Sequence, residues 1–182
     1  AWAVEDYDAV QQGIEGYDPE HYMEMAVTLP GSDIKDETAR RSYAARFITK
    51  EVNKLINLPV LKHHQSAGVT LALKNLSHGL VNNVSRSHSS STLNVCGAFI
   101  PAVAAMPVIR NKAVLHLLDG IKGVYHGGPS ARRQFIWEHR TVYFATDPVA
   151  LDHVGWKDIE EKRAAMGMKP IAQAAPDKFS TF

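Results

Sequence analysis

The stretch Asn57-Leu58-Pro59-Val60-Leu61-Lys62-His63-His64-Gln65-Ser66-Ala67-Gly68-Val69-Thr70-Leu71-Ala72-Leu73-Lys74 decides the reading of this chain. Leu55, Ile56, Leu58, Val60 and Leu61 form an apolar run with the composition of a buried strand. The run ends abruptly in three cationic or titratable side chains, Lys62, His63 and His64. A glycine-containing loop follows, and Gly68–Leu80 then reads as a helix carrying Lys74-Asn75. Charged groups are costly to bury at the end of a core strand, and open α/β sheets bind ligands at the carboxyl ends of their strands. The segment therefore points to a site.

The rest of the pattern sets the fold around it. Ala113–Leu118 is a second β run, ending in Asp119-Gly120. Arg140–Ala145 is a third and runs into Thr146-Asp147-Pro148, where Asp147 can cap a helix and Pro148 can open it. That helix continues to a stop near Gly167. Thr92–Met106 is small and apolar, a helix stopped by Pro107, whereas Ser42–Val52 fits either a helical face or a short strand. Residues 1–36 are acidic and punctuated by glycine and proline, with one strand expected at Tyr22–Leu29. Strands alternating with helices predict an α/β fold, a mostly parallel sheet with flanking helices, over residues 37–182. Residues 1–36 are expected to be an acidic N-terminal surface segment.

Bulk properties narrow the function. The chain has 182 residues, 45% hydrophobic and 21% charged, with a formal net charge of +1. Its basic residues are scattered, so neither nucleic acid nor an acidic membrane surface is an expected partner. No apolar stretch approaches the length of a membrane span. The single cysteine, Cys96, excludes an internal disulfide framework and any multi-cysteine metal site within the chain. Its sequence neighbours Val95, Gly97, Ala98, Phe99 and Ile100 are apolar, which predicts a small buried hydrophobe without an electropositive setting. The chain opens on Ala1 without a methionine, and we expect a processed product or a piece of something longer.

Each candidate has a chemical reason. Lys62 could neutralise a carboxylate or phosphate, and a neutral imidazole at His64 could shuttle a proton or hold a metal. Gly68 and Thr70 could present backbone N–H groups and a hydroxyl to an anion, with Lys74 and Asn75 beside them. The competing reading is a solvated loop and a solvent-facing helix lysine. The nine histidines include no His-Glu-x-x-His and no zinc-finger spacing. His78 and His88 flank the polar loop Asn82–Ser91, His116 reads as a core histidine between leucines, and His126 sits in a Gly-Gly-Pro loop that permits close ligand approach. Asp152 and His153, inside the last helix, are expected to include one buried hydrogen-bonded residue. No Gly-x-Ser-x-Gly or Ser-His-Asp arrangement is assignable.

Three stretches together resemble an uncharacterised family, the one catalogued as domain of unknown function 362. They are Ile56–Leu61 with Lys62-x-His64 and Gly68-Val69-Thr70-x-Ala72-Leu73-Lys74-Asn75-Leu76; Leu118-Asp119-Gly120 with His126-Gly127-Gly128-Pro129; and Thr146–Asp152. The resemblance spans roughly residues 42–165, with His63 a departure where the family more often has an acidic or small polar residue. It implies the C-terminal portion of a larger α/β protein, and exported members imply a periplasmic location, otherwise a cytoplasmic one. A fainter similarity is to the nickel-pincer-nucleotide lactate racemases, in the spacing of His64, Gly68, Lys74 and His88. That similarity implies His64 as a proton-transfer base, Lys74 as a cofactor attachment point and His88 as a metal ligand. The paired glycines before the racemase lysine are replaced here by Leu71-Ala72-Leu73.

The resulting expectation is a strand-end cleft lined by Lys62, His64, Lys74 and His88. It would bind a small anionic ligand or a metal-containing cofactor, a metal ion or a nickel-containing nucleotide, and catalyse proton transfer next to a carboxylate. The alternative is a non-enzymatic ligand-binding or redox-accessory subunit. An apolar face is expected for a missing N-terminal half or an oligomeric partner.

Overall fold

The computed structural model describes residues 14–88 and 94–174. The first thirteen residues of the acidic segment, the end of the polar loop and the start of the Thr92–Met106 stretch lie outside them.

The deciding stretch forms β3 (Leu55–Asn57) and β4 (Val60–His64), separated by Leu58-Pro59. Both lie along the same edge of β6 (Ala113–Val124) and parallel to it, Asn57 opposite His116 and Val60 opposite Asp119. Pro59 has no N–H to give, but its carbonyl accepts from Asp119 N at 2.8 Å. The expected strand is thus one interrupted strand that runs on through His64. β5 (Gly68–Thr70) pairs antiparallel with β4, and β7 (Ile136–Ala145) antiparallel with the other edge of β6. β3, β4 and β6 point the same way, which makes the centre of the five-stranded sheet parallel, as the pattern predicted.

Two boundaries differ from the sequence reading. Asp119-Gly120 does not end its strand, because β7 continues alongside it. A side chain at Gly120 would stand 2.8 Å from Thr141 O, so glycine permits the close pairing. The ladder is irregular between Gly120 and Lys122, where the Asp119 carboxylate accepts from Ile121 N at 3.0 Å. Second, Gly68–Leu80 is not one helix. The β-branched Val69 and Thr70 extend into β5, and the helix is α2 (Ala72–His78), once α1 (Glu37–Arg40) is counted. Lys74 therefore falls in the first helical turn.

The hairpin of β1 (Tyr17–Glu24) and β2 (Arg41–Ala45) lies upstream, with β1 earlier than the expected strand. The ambiguous Ser42–Val52 resolves into most of β2 and a π-helical turn at Phe47–Glu51. α3 (Cys96–Ala104) ends before Pro107, which opens the short α4 (Pro107–Arg110). α5 (Pro148–Ala165) starts as expected, Asp147 accepting from Val149 N and Ala150 N at 2.8 and 3.2 Å. Gly167 follows it with φ +69°, and α6 (Ile171–Ala174) comes last. No helix among the described residues is long and apolar enough to cross a membrane.

One face of the sheet is packed. Leu61 and Leu118 meet Leu71, Leu151 and Ile159, all buried under α5. A second core joins α2, α3 and α4 to the hairpin through Leu76, Phe99, Val103, Ile109, Ala44 and Ile48. The opposite face is exposed among the described residues. Ladder pairing puts Val60, Asp119 and Val142 on it, and Leu117 with Phe144, which is 68% exposed. Sheets with parallel strands ordinarily have both faces covered.

Candidate functional site

His64 is the last residue of β4, and the hairpin turn that follows folds over its ring. Ser66 N and Ala67 N both donate to Nδ1, at 3.1 and 3.2 Å. Burial, with Lys74 and His88 adding to it, pushes this imidazole down to about 2. With Nδ1 accepting twice, the hydrogen-bond network assigns the proton of the neutral ring to Nε2.

Two further histidines continue from it. His88, just after the 3-10 turn Ser85–Ser87, has its ring centroid 5.6 Å from His64 and 5.5 Å from His78. His78 closes α2 one turn beyond Lys74, so the two share a helix face. Burial first, then the Lys74 charge, holds His78 well below its ordinary range and His88 down to about 4. These are neutral imidazoles at physiological pH.

The cations beside them are unbalanced. Burial pushes Lys74 down to about 8, with Cys96 opposing the shift and Lys62 adding to it, and burial also lowers Lys62. Neither ammonium has a carboxylate or hydrogen-bond partner among the described residues. Thr70, opposite Lys62 in the β4–β5 ladder, keeps a buried hydroxyl without a partner. Structure thus brings His64, Lys74, His88 and Lys62 together. Cys96, the first residue of α3, is fully buried as expected, but its setting is electropositive. Lys74 pulls its thiol down while burial, the larger effect, pushes it up.

The other candidates lie elsewhere. Gly68, φ +74°, pairs with His64 in the ladder. Asn75 Nδ2 donates to Asn57 Oδ1 at 2.6 Å, and Asn57 Nδ2 reaches Ala72 O and the buried His116. His126 packs on His63 and Phe135, with centroids at 5.4 and 4.7 Å, and its Nδ1 accepts from Arg163 Nη1 at 3.2 Å. Arg163 is buried and also donates to Tyr125 O and Lys169 O. Successive strand residues leave opposite faces, so His63 and His126 do not join the His64 group.

A mostly apolar pocket of about 400 Å³ opens beside Lys74, walled by Val69, Leu73, Ile100 and Trp156, with Asp152 at its edge. Of the pair in the last helix expected to include a buried hydrogen-bonded residue, Asp152 is half-buried and hydrogen-bonded. Its carboxylate accepts from Ala72 N at 2.6 Å and Leu73 N at 3.1 Å, capping α2, whose own preceding residue, Leu71, offers no side-chain cap. Burial still pushes it up to about 7.

Sequence reasoning passed over His78 and Cys96 as members of the group. For His78 the signal was its spacing of four from Lys74 on a helix; Cys96 carried none, since its neighbours in the chain are apolar.

The molecule is therefore an α/β domain with a cluster of histidine, lysine and cysteine at a strand end, and no carboxylate pairs with its lysines among the described residues. The family profile described as "Domain of unknown function (DUF362)" matches residues 10–157, and the chain belongs to that family. Comparison with curated proteins and with solved structures gives no match.

Proposed function

We propose that this chain binds a small ligand carrying an oxyanion, a carboxylate or a phosphate, at the carboxyl end of β4. Lys74 carries the reading: it is a half-buried ammonium with no carboxylate partner among the described residues, and the Cys96 thiol is the group that favours its charge. Holding such a charge out of water is unfavourable by several kcal/mol in order of magnitude, which an arriving anion offsets. Lys62 and the unpartnered Thr70 hydroxyl supply a second charge and a donor. The pocket beside Lys74 accommodates the ligand's apolar body.

His64 adds a neutral N–H from Nε2. For proton transfer next to a carboxylate, this tautomer suits it to steady the oxyanion that develops, rather than to take the proton. Calorimetric titration of the full chain with acetate, phosphate and a 2-hydroxy carboxylate tests the reading. Lys74→Met is expected to weaken binding about tenfold or more, the value of a hydrogen bond to a charged group. Affinity should also fall as pH rises past about 8, where Lys74 loses its proton. Equal affinity in Lys74→Met and the parent chain overturns it.

A further inference from the structure

We infer that His78, His88 and Cys96 form a centre for a borderline-soft divalent cation of the zinc class. One ring nitrogen from each histidine and the Cys96 sulfur lie within 4.8 Å of one another. They come from three places, the end of α2, the residue after the 3-10 turn and the start of α3, and converge only through folding. Two imidazoles and a thiolate are a donor set for zinc, with metal bonds of about 2.0–2.3 Å. Closing from the present separations needs movements on the order of an ångström.

A hydroxyl shows where the three groups aim. Ser87 Oγ donates to Val84 O at 2.7 Å, so its proton is spent. His78 Nε2 approaches the same oxygen at 3.1 Å, His88 Nδ1 at 2.7 Å and Cys96 Sγ at 3.7 Å. All three thus converge on one oxygen, although Cys96 Sγ also reaches Ser87 O at 3.8 Å. Each of the three is a metal donor when that atom carries no proton. A cation beside that oxygen would gather all three; Ser77 Oγ donates to Lys74 O, which leaves the His78 proton on Nδ1 and its Nε2 lone pair free to ligate. His78 also has an outer partner, since its Nδ1 meets Ser77 Oγ at 3.0 Å; such contacts orient a ligating imidazole. The Lys74 ammonium opposes a dication. The Cys96 thiolate offsets one charge, and the anion proposed above would offset another. Three protein donors leave a fourth position for water or that anion.

The test uses the full chain, stripped with a chelator and titrated with cobalt(II) in the absence of added carboxylate or phosphate. One equivalent should bind, with the near-ultraviolet thiolate-to-cobalt band and visible bands of tetrahedral cobalt, and zinc should displace it. Cys96→Ser should abolish the near-ultraviolet band. His88→Gln, at a half-buried position, should weaken cobalt binding about 100-fold or more, beyond the loss seen for outer partners. Circular dichroism checks that both variants fold, and His126→Gln serves as a distant histidine control. No thiolate band in the parent chain, or unchanged cobalt affinity in both variants, overturns the proposal. Because no anion is present, that outcome would leave the anion reading standing. Loss of the anion reading would likewise leave the cobalt result untouched.

Discussion

His63 and His64 are neighbours on one strand, and the two ends of the molecule they serve are built differently. On the His63 side the buried cation, Arg163, gives its protons to Tyr125 O, Lys169 O and His126 Nδ1. On the His64 side the half-buried cation, Lys74, gives its protons to none of the described residues. Both sides hold imidazoles far below their usual range, so histidine content does not separate them. What separates them is whether the charge is satisfied. A satisfied cluster holds the fold together, whereas an unsatisfied one is kept at the fold's expense.

The largest effect should come from Arg163→Met. It leaves two carbonyls and an imidazole nitrogen without their donor, and should lower unfolding stability by about 3 kcal/mol or more in denaturant titrations. Lys74→Met removes a half-buried charge without a carboxylate partner and should raise stability, by about 1–2 kcal/mol. If both substitutions destabilise alike, the contrast between the two clusters does not exist.

Acid sharpens the comparison from another side. A histidine held neutral binds fewer protons folded than unfolded, between its folded value and 6.5. Its contribution is fully present above about 6.5 and is lost as pH falls toward about 3 for His63 or about 4 for His88. Stability should therefore decline below pH 6.5 with a slope of up to about 1.4 kcal/mol per pH unit for each such group. His63→Gln and His88→Gln should each flatten that slope when unfolding is measured at pH 5 and 7, within roughly this size. A slope unchanged in both variants contradicts neutral histidines on both sides. The smallest effect changes no stability at all. Nitrogen-15 spectra should place the His64 proton on Nε2; a proton on Nδ1 would contradict the two backbone bonds it accepts.

Much of this was legible in the chain. Apolar β runs ending in Lys62, Asp119 and Asp147 gave the sheet, and the Asp147-Pro148 pair gave the start of α5. The convergence of Lys62, His64, Lys74 and His88 was also expected from the strand-end position. Local signals failed where tertiary pairing decides. Asp119-Gly120 reads as a strand end, yet β7 holds it extended because glycine admits the partner backbone. Val69 and Thr70 sat inside a helical pattern, but an edge pairing with β4 suits β-branched residues better. Cys96 looked inert because an apolar sequence neighbourhood says nothing of the lysine that another helix delivers.

The Asp152 cap bears on when the cluster can exist. The bond from Ala72 N to this carboxylate spans 80 residues of chain, and the one from Leu73 N spans 79. Lys74 is the next residue, so the helical turn that carries it is capped by α5. During synthesis from the N-terminus, β4 and its histidines emerge long before that helix does. A polypeptide ending short of Pro148 would carry Lys62, His64, Lys74, His78, His88 and Cys96 and yet lack the carboxylate that caps α2.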